Sequence, residues 1–262
     1  MPISNQKSTI NNAKNMTTFL TFQDDPSYER QCDHLAGVVW PEFMLHDPAA
    51  RLFDEVYKRF PDCQVVVLDD QGEPAAFGNT VPLWWSGKTA DLPAAGWDAA
   101  IARGAKGLRA NTLCALQAMV HPNRQGSGWS TEIIKAMRAV AQRLGYTRLI
   151  APVRPNQKHL YPLIPIEKYM RWVRSDGLPF DAWLRVHARL GARVARAAPR
   201  SMRIVATVAE WEARTGLVFP ASGDYIVPGA LVPLRVNRAR DRAIYVEPNV
   251  WMVHELELIA DD

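Results

Sequence analysis

The chain has 262 residues, a formal net charge of +4 and 48% apolar residues, which suits one large globular domain with an ample core. No uninterrupted apolar run approaches the roughly 18 residues of a membrane span, and the polar N-terminus lacks the apolar stretch of a secretory signal. The three cysteines lie beside apolar residues without metal-ligand spacing, so we expect reduced core thiols in a cytoplasmic protein that needs no metal.

Residues 1–20 are polar, which predicts a disordered tail before a single domain over residues 21–262. Within that domain, apolar residues recur with helical and with strand periods. Helices are predicted, in chain order, at 27–43, 47–60, near 97, 130–144, 181–190 and near 211. Strands are predicted at 64–68, 75–83, 112–120, 148–153, 193–198, 203–208, 225–236 and 243–256.

The order of these elements predicts the fold class. Residues 113–153 read as strand, helix and strand, which implies a parallel pair, whereas the turn at 69–72 joins two strands as an antiparallel hairpin. We therefore expect an α/β fold with a mixed, mostly antiparallel central sheet and helices on both of its faces.

A glycine-rich turn lies between the predicted strand at 112–120 and the predicted helix at 130–144. It reads Gln-Gly-Ser-Gly-Trp-Ser at residues 125–130. Such a turn leaves backbone N–H groups unpaired at the positive end of a helix dipole, and its glycines let a ligand approach the backbone closely. The pattern therefore predicts a phosphate site.

Two common phosphate motifs do not fit this turn. A Walker loop needs a Lys-Ser/Thr pair after its last glycine, where this chain has Trp129-Ser130. A dinucleotide fingerprint needs three glycines and an acidic residue about 20 residues further on. This turn has two glycines, and residues 146–154 contain no acid.

The turn does resemble the Gln/Arg-x-x-Gly-x-Gly/Ala signature of the GCN5-related N-acetyltransferase (GNAT) superfamily. Gln125 takes the first place, Gly128 the fourth and Ser130 the last, where the family usually has glycine or alanine. The preceding Val-His-Pro resembles the family's Val-x-Pro at the end of its central strand. The resemblance implies that the turn cradles the pyrophosphate of coenzyme A, with acetyl-CoA or another acyl-CoA as cosubstrate.

A second stretch carries the same resemblance independently. It reads FDAWLRVHARLGARV and is similar to the family's later helix, which ends in Tyr-x-x-Leu-Gly-Phe and runs into the next strand. His187 stands at the place of the tyrosine, and Ala192 stands at the place of the phenylalanine. The two motifs come in the family's order, and the resemblance covers about residues 62–258.

The resemblance also implies which residues bind the cofactor. Family members pair the pantetheine arm with a splayed central strand, here residues 116–120, whose backbone N–H groups would bond the thioester carbonyl as it gains charge. The predicted cofactor-binding residues are Ala118, Met119, Val120, Gln125, Gly126, Ser127, Gly128, Trp129 and Ser130.

Two side chains are the candidate catalytic residues. His187 matches the family's tyrosine acid, and a histidine with a pKa of about 6.5 gives a proton to a leaving thiolate near neutral pH. The alternative for His187 is a buried ring bonded to a carbonyl. Glu247, on a late strand, is a candidate base, as is His121. Glu247 equally fits a structural carboxylate paired with one of the arginines.

The segment 152–180 is longer than the loop that the family usually has at this place. It carries five prolines and the aromatic residues Tyr161, Tyr169, Trp172 and Phe180. A loop of this length in a compact domain is usually functional or disordered, and its aromatic residues argue against disorder. A lid-like insertion over the acceptor site is therefore predicted, with a packed decoration remote from the site as the alternative.

The predicted function is acetyl transfer from acetyl-CoA to the amine of a small molecule by direct attack. Two alternatives stay open: an acyltransferase or decarboxylase that uses a carrier-protein or other thioester, and a non-catalytic CoA-binding module. Arginines recur from Arg171 to Arg242 and would suit docking of an acyl carrier protein, although solvated surfaces explain them equally. No nucleic-acid module is recognisable, no membrane partner is expected, and the oligomeric state is left open.

Overall fold

The computed structural model describes residues 8–10 and 17–257. Within them the strands are β1 (Ser8–Ile10), β2 (Thr17–Thr21), β3 (Gln64–Leu68), β4 (Pro74–Leu83), β5 (Thr112–Val120), β6 (Arg148–Val153), β7 (Arg193–Ala206), β8 (Gly223–Tyr225), β9 (Leu234–Asn237) and β10 (Arg242–Glu255). The α-helices are α1 (Tyr28–Val39), α2 (Phe53–Arg59), α3 (Gly96–Gly104), α4 (Trp129–Arg143), α5 (Ile166–Tyr169), α6 (Ala182–Arg189) and α7 (Val208–Thr215).

The strands form one sheet in the order β1-β2-β3-β4-β5-β6-β10-β9-β8, and β7 pairs with β10. β5 and β6 are parallel, and α4 crosses between them. The other strand pairs of the described sheet are antiparallel. The predicted α/β class, with a mixed and mostly antiparallel sheet, is confirmed.

Apolar residues are buried on both faces of the sheet. Along β3, Val65 and Val67 pack with α4 on one face, while Val66 and Leu68 pack on the other, because successive strand residues point to opposite sides. On α4, Ile133, Ile134, Met137 and Val140 are buried at the spacing of one helical face. Both helical layers are therefore held to the sheet by apolar contact.

The most regular segments were predicted to within a residue. The bounds of β3, β5 and β6 agree with the predicted strands, and α4 differs from its predicted range by one residue at each end. The helix predicted over 27–43 ends at Val39, because Trp40 precedes Pro41 and takes an extended conformation. The periodicity of apolar residues was sufficient to predict these elements because tertiary contacts do not oppose it.

Long-range pairing changed the later strands. The strands predicted at 193–198 and 203–208 are one strand, β7, which pairs with β10 through a bulge that accommodates Pro199. The strand predicted over 225–236 is instead two short strands, β8 and β9. Both differences depend on which partner strand lies alongside, and sequence periodicity does not report that.

The predicted tail is partly corrected. Residues 8–10 form β1 and residues 17–20 belong to β2, which pairs with β3 at the edge of the sheet. The prediction of disorder is therefore wrong for these residues. Residues 1–7 and 11–16 lie outside the described part of the chain.

The insertion at 152–180 is built around its own aromatic cluster. The rings of Tyr161, Tyr169, Trp172 and Phe180 pack against one another with centroids 5.0–6.3 Å apart. The fully buried Lys158 ammonium donates to the carbonyls of Tyr161 and Leu231. The segment is thus a packed extension of the core. A lid role stays a prediction for its first residues, whereas its aromatic residues form this cluster instead.

Candidate active site

A cavity of about 770 Å³ opens where two parallel strands part. β5 and β6 pair only at Leu113–Leu149 and Cys114–Ile150. Beyond this point the ends of both strands, residues 115–120 and 151–153, line the cavity. The splay predicted for the central strand is therefore present.

A bulge in β5 shapes this splayed end. Asn79 of β4 pairs with Gln117 and Thr80 pairs with Ala115, so Leu116 has no partner on β4. The Leu116 carbonyl accepts a hydrogen bond of 2.7 Å from the indole of Trp97. A bulge changes the direction of the backbone and side chains around it, so residues 116–120 of β5 face the cavity.

The glycine-rich turn closes one end of the cavity. Gly126 and Gly128 have φ of 80° and 89°, which only glycine adopts readily. Within the described chain, none of the backbone N–H groups of residues 126–130 donates to a protein acceptor. The helix α4 begins directly after Gly128, so these donors lie at the positive end of its dipole, as an anion site requires.

The predicted cofactor residues come together here. Ala118, Met119 and Val120 line the cavity on the β5 side. Gln125, Gly126, Gly128, Trp129 and Ser130 line it at the turn, and Ser127 does not. One surface thus joins the strand end to the turn, although the two come from different structural elements. Their contact with coenzyme A stays a prediction.

His187 lies against the cavity but is 1% exposed. Its Nδ1 lies 2.9 Å from Nε2 of His254, and Trp183 packs edge-on against its ring. Burial, and to a lesser degree the neighbouring His254, lower the pKa of His187 to about 3. This value lies well below the ordinary pKa of about 6.5 on which proton donation by His187 was predicted, so burial favours the uncharged ring at pH 7. Whether it assists the leaving thiolate stays a prediction.

The buried histidine pair makes stability depend on pH. Burial also lowers the pKa of His254, to about 4. Because both rings bind protons more readily in the unfolded chain, the stability they support is complete above about pH 6.5 and is lost as the pH falls towards their folded values.

We therefore expect His187→Phe to become less destabilising, relative to the wild type, as the pH falls from about 7 to about 5, by about 2 kcal/mol. The measurement is urea unfolding of both proteins at the two pH values. His121→Phe is the control, since His121 is exposed and lies outside the cavity lining. A difference between wild type and His187→Phe that stays constant with pH would contradict the burial of an uncharged ring.

Glu247 is fully buried and already bonded on both oxygens. Arg154 Nε donates to Oε1 at 2.9 Å and to Oε2 at 3.1 Å, and the Tyr245 hydroxyl donates to Oε2 at 2.8 Å. Burial is the largest single effect and disfavours the charge on Arg154, but the attraction and hydrogen bonds of Glu247 and Tyr245 together outweigh it and raise the pKa of the guanidinium. The structural pairing with an arginine, one of the two interpretations of Glu247, is present. Its role as a base stays a prediction.

The other base candidate lies elsewhere. His121 is exposed, and its Nδ1 accepts the backbone N–H of Asn123 at 3.4 Å. Three cations near the turn are also engaged: Arg124 with Asp69, Lys135 with Glu132, and Arg138 with the carbonyl of Leu190. The backbone donors of the turn are therefore its main means of binding an anion.

Several cavity residues had no signal in the sequence. Arg154 follows the end of β6 and Asn249 lies in the middle of the neighbouring strand β10, and a second group comes from the N-terminal helices. That group contains Asp33, Trp40, Phe53, Asp54 and Tyr57. Each would pass for an ordinary helical residue, and only the packing of α1 and α2 beside β5 brings them to one wall.

The described residues contain no group of three or more His, Cys, Asp or Glu side chains placed to hold a metal ion. The same part of the chain has no helix with the length and apolar character of a membrane span. All three cysteines are buried and unpaired, and burial raises the pKa of Cys32 to about 12. The predicted location of the three cysteines in the core is confirmed.

Comparison with known proteins agrees with this geometry. A family model described as "Acetyltransferase (GNAT) family" matches residues 30–164. The arginine N-acetyltransferase avaD of Aspergillus versicolor is 31% identical, with 86% of this chain and 88% of that protein covered. This chain is therefore similar to it over most of both lengths.

Two solved structures share the fold at low sequence identity. The loading GNATL domain of CurA from Lyngbya majuscula has a TM-score of 0.60 at 14% identity, covering 92% of this chain and 98% of that one. The GphF GNAT-like decarboxylase in complex with isobutyryl-CoA has a TM-score of 0.55 at 17% identity, covering 88% and 96%. With the splayed strands, the family match and the avaD relative, this shows that the chain belongs to the acetyltransferase (GNAT) family and is an acyl-CoA-dependent N-acyltransferase.

Proposed function

We propose that the protein transfers the acetyl group of acetyl-CoA to a nitrogen of arginine or of a small compound that carries an arginine side chain. The proposal depends on one continuous cavity, which joins the turn at 125–130 to a compartment walled by α1 and α2. Direct attack requires both reactants to be held side by side, and a shared space permits this. The acceptor class is supported by the 31% identical relative that is named an arginine N-acetyltransferase.

In this reaction the acceptor nitrogen attacks the thioester carbon. A C–N bond forms, the C–S bond breaks, the nitrogen loses one proton and the departing sulfur gains one. Negative charge gathers on the thioester oxygen before the sulfur leaves. Backbone N–H groups at residues 118–120 of the splayed strand are the proposed donors to that oxygen, and such fixed donors stabilise the transition state without reorganising.

The proton transfers are proposed for the two candidate side chains. Both His187 and Glu247 line the cavity, which supports action at the reacting atoms. His187 would act as a neutral N–H donor that hydrogen-bonds the departing sulfur, with water delivering the proton. Glu247 would accept the proton of the nitrogen while Arg154 holds its carboxylate in place.

The alternatives make different predictions about the donor. A carrier-protein enzyme would use an acyl group on a phosphopantetheinyl carrier and bind free acetyl-CoA weakly. A decarboxylase would release carbon dioxide from malonyl-CoA without an N-acyl product, and a binding module would hold acetyl-CoA unchanged. The acetyltransferase is preferred because the two similar solved structures named as a loading domain and a decarboxylase share only 14% and 17% identity with this chain.

The expected result is one molecule of N-acetylated product for each free CoA thiol when the protein meets acetyl-CoA and L-arginine. Thiol release and mass spectrometry of the product measure both sides of the reaction. Parallel reactions with malonyl-CoA and with an acetylated carrier protein test the alternatives. Thiol release without an acetylated acceptor, or product only with the carrier, would contradict the proposal.

A further inference from the structure

The end of the cavity walled by α1 and α2, where the acceptor is proposed to bind, carries two carboxylates. Asp33 of α1 and Asp54 of α2 both line it, and among the described residues neither forms an ion pair. Burial raises the pKa of Asp33, and the negative charges of Glu29 and Asp54 raise it further. Two carboxylates therefore share one wall and repel each other, a repulsion that a bound cation would relieve.

Aromatic rings belong to the same wall. Trp40, Phe53 and Tyr57 line the cavity beside the two carboxylates. The Trp40 indole donates to the Gln117 amide oxygen at 3.2 Å, which fixes the ring against β5. Flat aromatic faces attract cations, and a guanidinium stacks on them better than an ammonium does.

A buried acceptor in the same cavity lacks a donor. Asn249 lines the cavity and is 1% exposed, and its Oδ1 has no hydrogen-bond partner within the described chain. Buried polar atoms nearly always have a partner. An unpaired amide oxygen at a cavity wall therefore points to a ligand that brings an N–H group.

We propose that the acceptor end of the cavity is a guanidinium site in which Asp33 and Asp54 are the counter-charges. Two arginines line the cavity, but Arg124 is paired with Asp69 and Arg154 with Glu247, so neither cancels the two carboxylates. A guanidinium offers five N–H donors in one plane, which matches a wall of carboxylates and aromatic faces in a cavity that also has an unpaired amide oxygen. The inference rests on the proposed function for the reaction, but recognition of the charge is measurable without turnover.

The test is calorimetric binding of L-arginine and L-citrulline to the CoA-loaded protein. The two have side chains of the same length, but citrulline carries a neutral urea in place of the guanidinium. We expect the wild type to bind arginine at least about tenfold more tightly, since hydrogen bonds to a charged group are worth at least that factor. Asp33→Asn and Asp54→Asn should each weaken arginine binding about tenfold and leave citrulline and CoA binding unchanged.

Glu55→Gln is the matched control, because it removes a negative charge beside Asp54 on α2 but outside the cavity lining, where Glu55 pairs with Arg59. It should change arginine binding less than about threefold, as a solvated charge does. Equal binding of arginine and citrulline, no binding of either, or an arginine preference that survives both aspartate substitutions would overturn the inference.

Failure of this inference differs from failure of the proposed function. If arginine is acetylated but citrulline binds and reacts equally well, the proposed acetyl transfer is supported and the guanidinium site is contradicted. If arginine binding depends on Asp33 and Asp54 while no acetyl group is transferred, the guanidinium site is supported and the proposed reaction is contradicted. Asp33 and Asp54 are both exposed to the cavity or to solvent, so the variants are expected to fold.

Discussion

Gly128→Val is expected to abolish acetyl-CoA binding. Gly128 lines the cavity with φ of 89°, and a Cβ built there meets no protein atom within 4 Å. The added side chain would therefore stand in the space in front of the unpaired N–H groups, where the pyrophosphate is proposed to bind. Acetyl-CoA at about 100 times its dissociation constant should stabilise the wild type by about 2.7 kcal/mol and the variant not at all.

Gly145→Val separates this effect from backbone strain. Gly145 follows the other end of α4, also has positive φ (77°) and open space around its Cβ, and lies outside the cavity lining. Each valine should cost about 1–2 kcal/mol for the left-handed conformation. Thermal melting without acetyl-CoA measures the stability that each valine costs, and melting with acetyl-CoA measures the stabilisation by the bound cofactor. If acetyl-CoA stabilises Gly128→Val as much as it stabilises Gly145→Val, the turn does not bind the cofactor.

The second large effect is expected at the buried ion pair. Glu247→Ala should lower the free energy of unfolding by about 3–5 kcal/mol, because it leaves the charge of Arg154 buried without its partner. Arg154 would keep the hydrogen bond that its Nη2 donates to the Gly229 carbonyl, 2.6 Å away, and its contact with Tyr245, neither of which supplies a counter-charge. Urea unfolding of the wild type and the variant measures the loss.

The double variant Arg154→Met/Glu247→Leu is the matched control. Replacing both charges by apolar side chains of similar volume should restore most of the lost stability. Unfolding free energies for Arg154→Met, Glu247→Leu and the double variant complete the double-mutant cycle, and additive losses would contradict a coupled pair. Glu247→Gln tests the chemistry: a proton acceptor predicts a kcat lower by about 10²–10⁴ at unchanged acetyl-CoA affinity. An active Glu247→Gln enzyme would leave Glu247 a structural role only.

Local sequence sufficed where the chemistry is local. The turn at 125–130 and its helix are consecutive in the chain, so glycine placement and helical period predicted both of them. The strands β3, β5 and β6 were predicted because their apolar runs are bounded by turn residues on each side. The splay between β5 and β6 was predicted from the family resemblance and not from local pattern. How far two strands pair is not encoded in either strand alone.

The states of the candidate side chains depended on distant partners. His187 is neutral because it is buried against a ring 67 residues away in sequence, and Glu247 is held by an arginine 93 residues away. Desolvation and charge pairing set both states, and neither is visible in the residues beside His187 or Glu247. The packing of the aromatic residues of 152–180 against one another was likewise not visible in the sequence, and the lid stays a prediction.

The amino-acid order was thus enough for the family, the α/β class and the cofactor turn, because each follows from short-range patterns that folding does not rearrange. The acceptor wall was decided only in three dimensions. Asp33 and Asp54 lie on two separate helices before the central strand, and they share a cavity because both helices bury their apolar faces against the same side of the sheet. Burial of apolar surface is non-directional, so the polar residues that this packing brings together have no signature in the sequence.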